Sequence, residues 1–239
     1  MSRTVLITGG AGGIGRAIRE RFVAAGDAVV AADLHDAEVT ADVRSVADCE
    51  RMIAETIALH GRLDVLVCTA GVWIEGPTAE TTEEQWDRAI DSNLKGTFFA
   101  CRYAIPELVK AEGSIVLISS DYGLVGGPGA AVYNASKFGV NGIARSLALE
   151  LAPVGVRVNS VCPADVDTPM LAGQARDFGG GDPASYYAKL RATLPQGPER
   201  ARFIRPQEIA ALVAFLCSEE AAPITGACIP VEWGVTAGY

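Results

Sequence analysis

Short, nearly continuous apolar runs punctuate the chain at Thr4–Thr8, Ala28–Asp33, Val65–Cys68, Ser114–Ser119, Arg157–Val161 and Ala227–Pro230. Runs of this length without polar alternation fit parallel strands covered on both faces. Segments of helical length separate them. Ile14–Ala25 follows the first run, and Val46, Cys49, Ile53 and Ile57 recur at helical spacing in the next connection. Thr82-Glu83-Glu84-Gln85 reads as a capping box whose helix continues through Trp86 and Ile90. This alternation predicts a single α/β domain over residues 1–239, a doubly wound parallel sheet with helices on both faces. Right-handed crossovers then align the loops after the strands along one edge, where ligands bind. Ala172 to Pro206 breaks the alternation: it is rich in Gly, Pro and charge and carries Phe178, Tyr186 and Tyr187. It is expected to be an irregular, mobile substrate lid.

Composition narrows the class of partner. Hydrophobic residues make up 49% of the chain and charged residues 21%, as in an ordinary globular protein. The formal charge is −9 and the Lys and Arg residues are dispersed, which argues against a nucleic-acid partner. No apolar segment is long enough to span a bilayer, and the chain enters its first strand without a basic leader, so no membrane partner and a cytoplasmic location are expected. The six cysteines have no CxxC spacing and no nearby His, so they are expected to be buried small hydrophobes rather than metal ligands.

The first apolar run leads into Thr8-Gly9-Gly10-Ala11-Gly12-Gly13-Ile14-Gly15, followed by a helical segment. Glycines at such a turn allow a backbone to approach a pyrophosphate at a helix N-terminus. The run fits three glycine spacings at once and by itself does not choose among them. Asp33 ends the second strand 18 residues after Gly15. A carboxylate there accepts both ribose hydroxyls of NAD and repels the 2′-phosphate of NADP, so NAD is the expected cofactor.

Tyr133-Asn134-Ala135-Ser136-Lys137 lies in a helix expected to run to about Leu151, with Tyr133 and Lys137 on one face. A neighbouring ammonium favours phenolate and brings the phenol toward a useful pKa. The pair alone is also what a core tyrosine beside a surface lysine looks like. Upstream, the strand from Ser114 ends in Ser119-Ser120, where Ser120 is placed either to donate to a substrate oxygen or to cap its own turn.

Together these motifs resemble the short-chain dehydrogenase/reductase family, in its branch of about 250 residues, over essentially the whole chain. The resemblance rests on Thr8–Gly15, Asp42-Val43, Cys68-Thr69-Ala70-Gly71, Asn93, Ser120, Tyr133-x-x-x-Lys137 and Pro163…Thr168-Pro169-Met170, including the 13-residue step from Ser120 to Tyr133. It implies a Rossmann fold and selects Gly9, Gly13 and Gly15 as the glycine pattern, with Gly12, Ile14 and Leu34 beside the cofactor. It implies Tyr133 as general acid–base, Lys137 lowering its pKa and holding the nicotinamide ribose, Ser120 polarising the carbonyl, and Asn93 holding a water in a proton relay. Asp42 and Val43 would contact adenine; Cys68, Ala70, Gly71 and Pro163 would border the cofactor; Val166 and Thr168 would hold the carboxamide. The implied activity is interconversion of a secondary alcohol, plausibly cyclic or aromatic, and its ketone.

The chain departs from the family pattern at Cys68-Thr69, at Ala164, where a left-handed glycine would make alanine a strained choice, and at Glu232-Trp233-Gly234. Trp73, Tyr122, Asp165, Met170, Phe178 and Tyr186 are candidate pocket residues. The family's habit of forming dimers or tetramers points to a homo-oligomer, with the Ile209–Cys217 helix and the Trp233 tail as candidate contacts. A non-catalytic dinucleotide-binding sensor and an enoyl reductase are the competing readings.

Overall fold

The computed structural model describes residues 2–238. All six expected runs are strands, with ends shifted by at most two residues. The strands are β1 (Thr4–Thr8), β2 (Ala28–Asp33), β3 (Val39–Thr40), β4 (Val65–Cys68), β5 (Ser114–Ile118), β6 (Arg157–Pro163) and β7 (Cys228–Val231). The unforeseen β3 has two residues, too few to carry a pattern. All lie parallel in one sheet of order β3-β2-β1-β4-β5-β6-β7.

Eight α-helices cover the sheet: α1 (Gly13–Ala24), α2 (Val46–His60), α3 (Glu83–Ala89), α4 (Gly96–Ala111), α5 (Ala131–Leu151), α6 (Pro169–Phe178), α7 (Pro183–Ala192) and α8 (Pro206–Leu216). The period-two alternation of each strand feeds two cores. In β1, Leu6 joins Met52, Leu108 and Ile115 beneath α2, α4 and α5. Val5 and Ile7 point the other way, joining Phe22, Ile209 and Val213 of α1 and α8. Thus the apolar stripe of α8, expected at a subunit contact, is spent largely on the chain's own core.

The helix begun by the Thr82 capping box runs on past Ile90 as expected, α3 passing through a π-helical turn at Ile90–Lys95 into α4. One helical expectation is corrected. The segment 172–206 is not irregular throughout, because α6 and α7 occupy about half of it. Each starts at a side-chain cap followed by proline. Leu171 N donates to Thr168 Oγ1 at 3.4 Å and Ser185 N to Asp182 Oδ1 at 3.1 Å. At a first helical position the fixed φ of proline favours the helix. Helix α7 has no fully buried residue, so it rests on the body rather than in it.

Phe22 anchors the α1 face. It is 1% exposed, and the Arg3 guanidinium lies 5.5 Å from its ring centroid. Phe22→Ala is expected to cost about 3–5 kcal/mol in urea unfolding, from lost burial plus the cavity left behind.

Candidate active site

Between β1 and β4 the chain reverses its direction of travel across the sheet, and the loops leaving the two strands part to form a crevice. They part only after touching. A Cβ on Gly9, whose φ is +69°, would lie 2.7 Å from Ala70 N, and one on Gly15 would lie 2.1 Å from Gly9 O. A Cβ on Gly13 would strike the Thr168 side chain at 2.7 Å, whereas one on Gly12 meets only Gly9 O at 3.3 Å. Gly10 is crowded too, its Cβ falling 2.5 Å from Ala31 Cβ, so packing requires glycine at four positions of the run and sets apart only Gly12. The Thr69 hydroxyl donates to Thr8 O at 2.6 Å, which ties the ends of β1 and β4 together. That bond answers the Cys68-Thr69 departure. The Cys68 thiol itself sits in the core, so only its backbone is available to a ligand.

Asp33 closes one side of the loop. Its Oδ2 accepts from Ala11 N at 3.0 Å and its Oδ1 from Leu34 N at 2.7 Å, leaving lone pairs free on a partly exposed carboxylate. Further along the edge, Asp42 is clamped by Arg44, which holds its carboxyl below the usual range. Val43 packs on Gly96.

Asn93 sits in the π-helical turn and is 1% exposed. Its Oδ1 accepts from Val72 N at 2.7 Å, and its Nδ2 donates to Val72 O and Ser136 Oγ, both at 3.0 Å. The side chain thus pins the loop after β4 to α5. A π turn adds a residue without breaking the helix, which is how an asparagine is presented sideways in mid-helix.

Helix α5 carries Tyr133 and Lys137. Tyr133 is 8% exposed and Lys137 5%. Lys137 Nζ donates to Ile118 O at 2.9 Å and lies 5.6 Å from the Tyr133 ring centroid. Burial, with no carboxylate beside it, pushes the ammonium down from 10.5 to about 8. Burial also raises the Tyr133 phenol above its ordinary value, with the Ser120 hydroxyl working the other way. Desolvation is the larger of the two effects on the phenol. Ser120 Oγ donates to Asp121 Oδ1 at 2.7 Å and accepts from Tyr122 N at 3.2 Å. It caps its turn, and its one O–H is spent on Asp121. Asn134 Nδ2 holds the following loop through Tyr122 O at 2.7 Å and Val125 O at 2.8 Å. Its only signal in the sequence was its place inside the Tyr–Lys motif.

A cavity of about 800 Å³ opens over these groups. Ile14, Gly71, Ser120, Tyr133, Lys137, Pro163, Val166 and Thr168 share its wall. Gly9, Gly12, Gly13, Gly15, Asp33, Leu34, Asp42 and Val43 lie along the sheet edge outside it, and Asn93 lies behind it. Trp73, Tyr122, Asp165, Met170 and Tyr186 line the cavity as expected. Phe178 does not, because it ends α6 on the solvent side, 42% exposed. Glu75 and Asp121, which composition and spacing did not single out, also line it. The strain expected at Ala164 is absent, since its φ is not positive; Trp233, at φ +60°, is the departure that occupies left-handed backbone.

The residues present fit a nicotinamide dinucleotide. A glycine cradle leads into a helix N-terminus, Asp33 keeps acceptor capacity, and only one of three Lys137 N–H donors is used within the chain.

A family model described as enoyl-(acyl carrier protein) reductase matches residues 9–236. The chain is 36% identical to meso-2,3-butanediol dehydrogenase of Serratia marcescens, covering 99% of this chain and 95% of that protein. It is 34% identical to trans-4-hydroxycyclohexanecarboxylate dehydrogenase of Sinomonas cyclohexanicum, covering 99% and 93%. Among solved structures, the ligand-free aldohexose dehydrogenase of Thermoplasma acidophilum superposes with a TM-score of 0.91 at 35% identity, covering 99% and 94%. The chain belongs to the short-chain dehydrogenase/reductase family, and its activity class is that of an oxidoreductase using a nicotinamide dinucleotide.

Two predictions come from this geometry. Gly15→Ala is expected to abolish measurable cofactor binding in a fluorescence titration, whereas Gly12→Ala retains it within about threefold, because only the first clashes with backbone. For Lys137 the unfolded chain binds more protons than the fold between pH 8 and 10.5, so this group makes the ligand-free protein more stable as pH rises through that window. The stability of the native protein relative to Lys137→Met should rise by about 3 kcal/mol across it, read by urea titrations at each pH.

Proposed function

We propose that the protein is an NAD-dependent dehydrogenase that interconverts a secondary alcohol, cyclic or aromatic, and its ketone. The observation that carries this reading is the convergence of Tyr133, Ser120 and Lys137 on one cavity at the end of the glycine cradle. The cofactor, when bound, supplies or accepts the hydride. The chain's own residues handle the proton and the charge. Tyr133 exchanges a proton with the substrate oxygen, Ser120 donates a hydrogen bond to that oxygen, and Lys137 favours the phenolate while its spare donors hold the ribose. Asn93 fixes the wall behind Lys137, consistent with a proton relay.

Asp33 supports NAD over NADP, because a 2′-phosphate would meet a carboxylate already locked to the loop. The ring preference rests on the wall of the cavity: Trp73 stacks on Tyr122 at 5.5 Å and tilts against Tyr133 at 4.5 Å, a surface suited to a flat or cyclic substrate. The names of the two dehydrogenase relatives, one acting on a diol and one on a cyclohexanol, agree with a secondary alcohol. Helices α6 and α7 contribute Met170, Leu171, Gln174, Tyr186 and Leu190 to the same wall and act as its cover. Exposed Phe98 on α4 and Phe138 and Leu149 on α5 support a dimer or tetramer built on those helices.

A screen of alcohols and ketones followed by NADH absorbance tests the reading. Tyr133→Phe should lower kcat/KM by about 10²–10⁴-fold with cofactor affinity retained, and Asp33→Ala should erase the preference for NAD. Unchanged turnover in Tyr133→Phe would remove the phenol from the mechanism and favour a sensor. The description of the matching family model makes an enoyl reductase the second reading; consumption of a 2-enoyl thioester but of no ketone would establish it.

A further inference from the structure

The polar groups of the cavity are strongly one-sided. Glu75, Asp121 and Asp165 all line it, and Lys137 is the only cation that does. Among the described residues none of the three carboxylates is in an ion pair. Asp121 accepts from Ser120, and Glu75 accepts from Trp73 Nε1 at 2.9 Å and from Tyr186 Oη at 3.3 Å. The Asp165 side chain has no hydrogen-bond partner among the described residues. Trp73 and Tyr186, which donate to Glu75, and Tyr122, which stacks on Trp73, share the cavity wall with Asp165. The cavity itself is a ligand site on independent grounds, since the catalytic tyrosine opens into it.

We propose, resting on the dehydrogenase reading above, that the alcohol or ketone taken by this cavity carries an ammonium group, read by Asp165 and Glu75 with Trp73 and Tyr122 as an aromatic face. The ammonium sits on a carbon other than the one that reacts. On oxidation the carbinol hydrogen leaves as hydride to the oxidised cofactor and the hydroxyl proton passes to Tyr133, so the amine takes no part in the chemistry. A closed pocket that strips water from carboxylates needs a counter-charge, and a neutral hydroxyl does not provide one. A cation over an aromatic ring gains further attraction. An anionic substrate would meet two to three like charges. Asp165 remains ionised near neutral pH, since burial and the neighbouring Asp121 push it only up to about 6.

The test compares kcat/KM of the NAD-loaded enzyme for 4-substituted cyclohexanols bearing amino, methyl, hydroxymethyl and carboxylate groups. The ratio between two substrates cancels any effect of the acids on cofactor binding. The amino alcohol is expected to exceed the methyl compound by about tenfold or more, with the carboxylate lowest. In Asp165→Asn and in Glu75→Gln the amino-to-methyl ratio is expected to fall to about threefold or less. Turnover of the methyl or hydroxymethyl compound at or above the amino compound overturns the ammonium and leaves the dehydrogenase standing. An amino preference unchanged in both variants overturns the assignment to these carboxylates. No turnover of any member sinks the reading beneath it as well.

Discussion

Everything at this site depends on how closely two loops approach where β1 and β4 begin to diverge. Parallel strands pack about 4.8 Å apart, so the chains leaving them collide unless side chains are removed at the point of separation. Gly9 and Gly15 remove them, and the Thr69 hydroxyl fills the remaining space with a hydrogen bond across to Thr8. The helix start that follows is thereby aimed at the crevice. On the far side of the same crevice, Asn93 ties the loop after β4 to α5 and so sets where Tyr133 and Lys137 stand. The glycine cradle and the Tyr133–Lys137 pair are two ends of one packed assembly.

Charge within that assembly is held against its own preference. Lys137 is an ammonium among apolar neighbours with one carbonyl for company, and Tyr133 is a phenol that burial discourages from ionising. Each makes sense as a partner for groups that arrive with ligands. Free of them, the fold carries a cost that binding can relieve, which is the ordinary route by which ligand affinity is coupled to local order.

The sheet was legible because its strands are apolar throughout, a signal that survives without alignment. The α5 end at Leu151 and the Tyr133–Lys137 face were legible for a similar reason, the strict geometry of helical spacing. What escaped has physical causes. The two residues of β3 are shorter than any period. The helices α6 and α7 begin at Thr168-Pro169 and Asp182-Pro183, where a proline that ends helices elsewhere starts one. The roles of Thr69 and Asn134 are tertiary, since each acts on a backbone group brought near by folding. Glu75 and Asp121 are ordinary acids in the sequence and become notable only when they share a cavity wall and neither is in an ion pair. The turn at Ala164 shows the converse, because an anticipated strain dissolved once its backbone was seen, while Trp233 took the left-handed position instead.

Asp33 joins two properties usually considered separately. Its carboxylate is the group proposed to meet the cofactor ribose, and it also takes the Ala11 amide, so it helps set the shape of the glycine loop. A lineage drifting toward a phosphorylated cofactor would have to lose the repelling charge without losing that acceptor. Asparagine at this position meets both demands and alanine only one. The proposed cofactor preference would therefore be heritable as a property of loop geometry, and the first viable step away from it a narrow one.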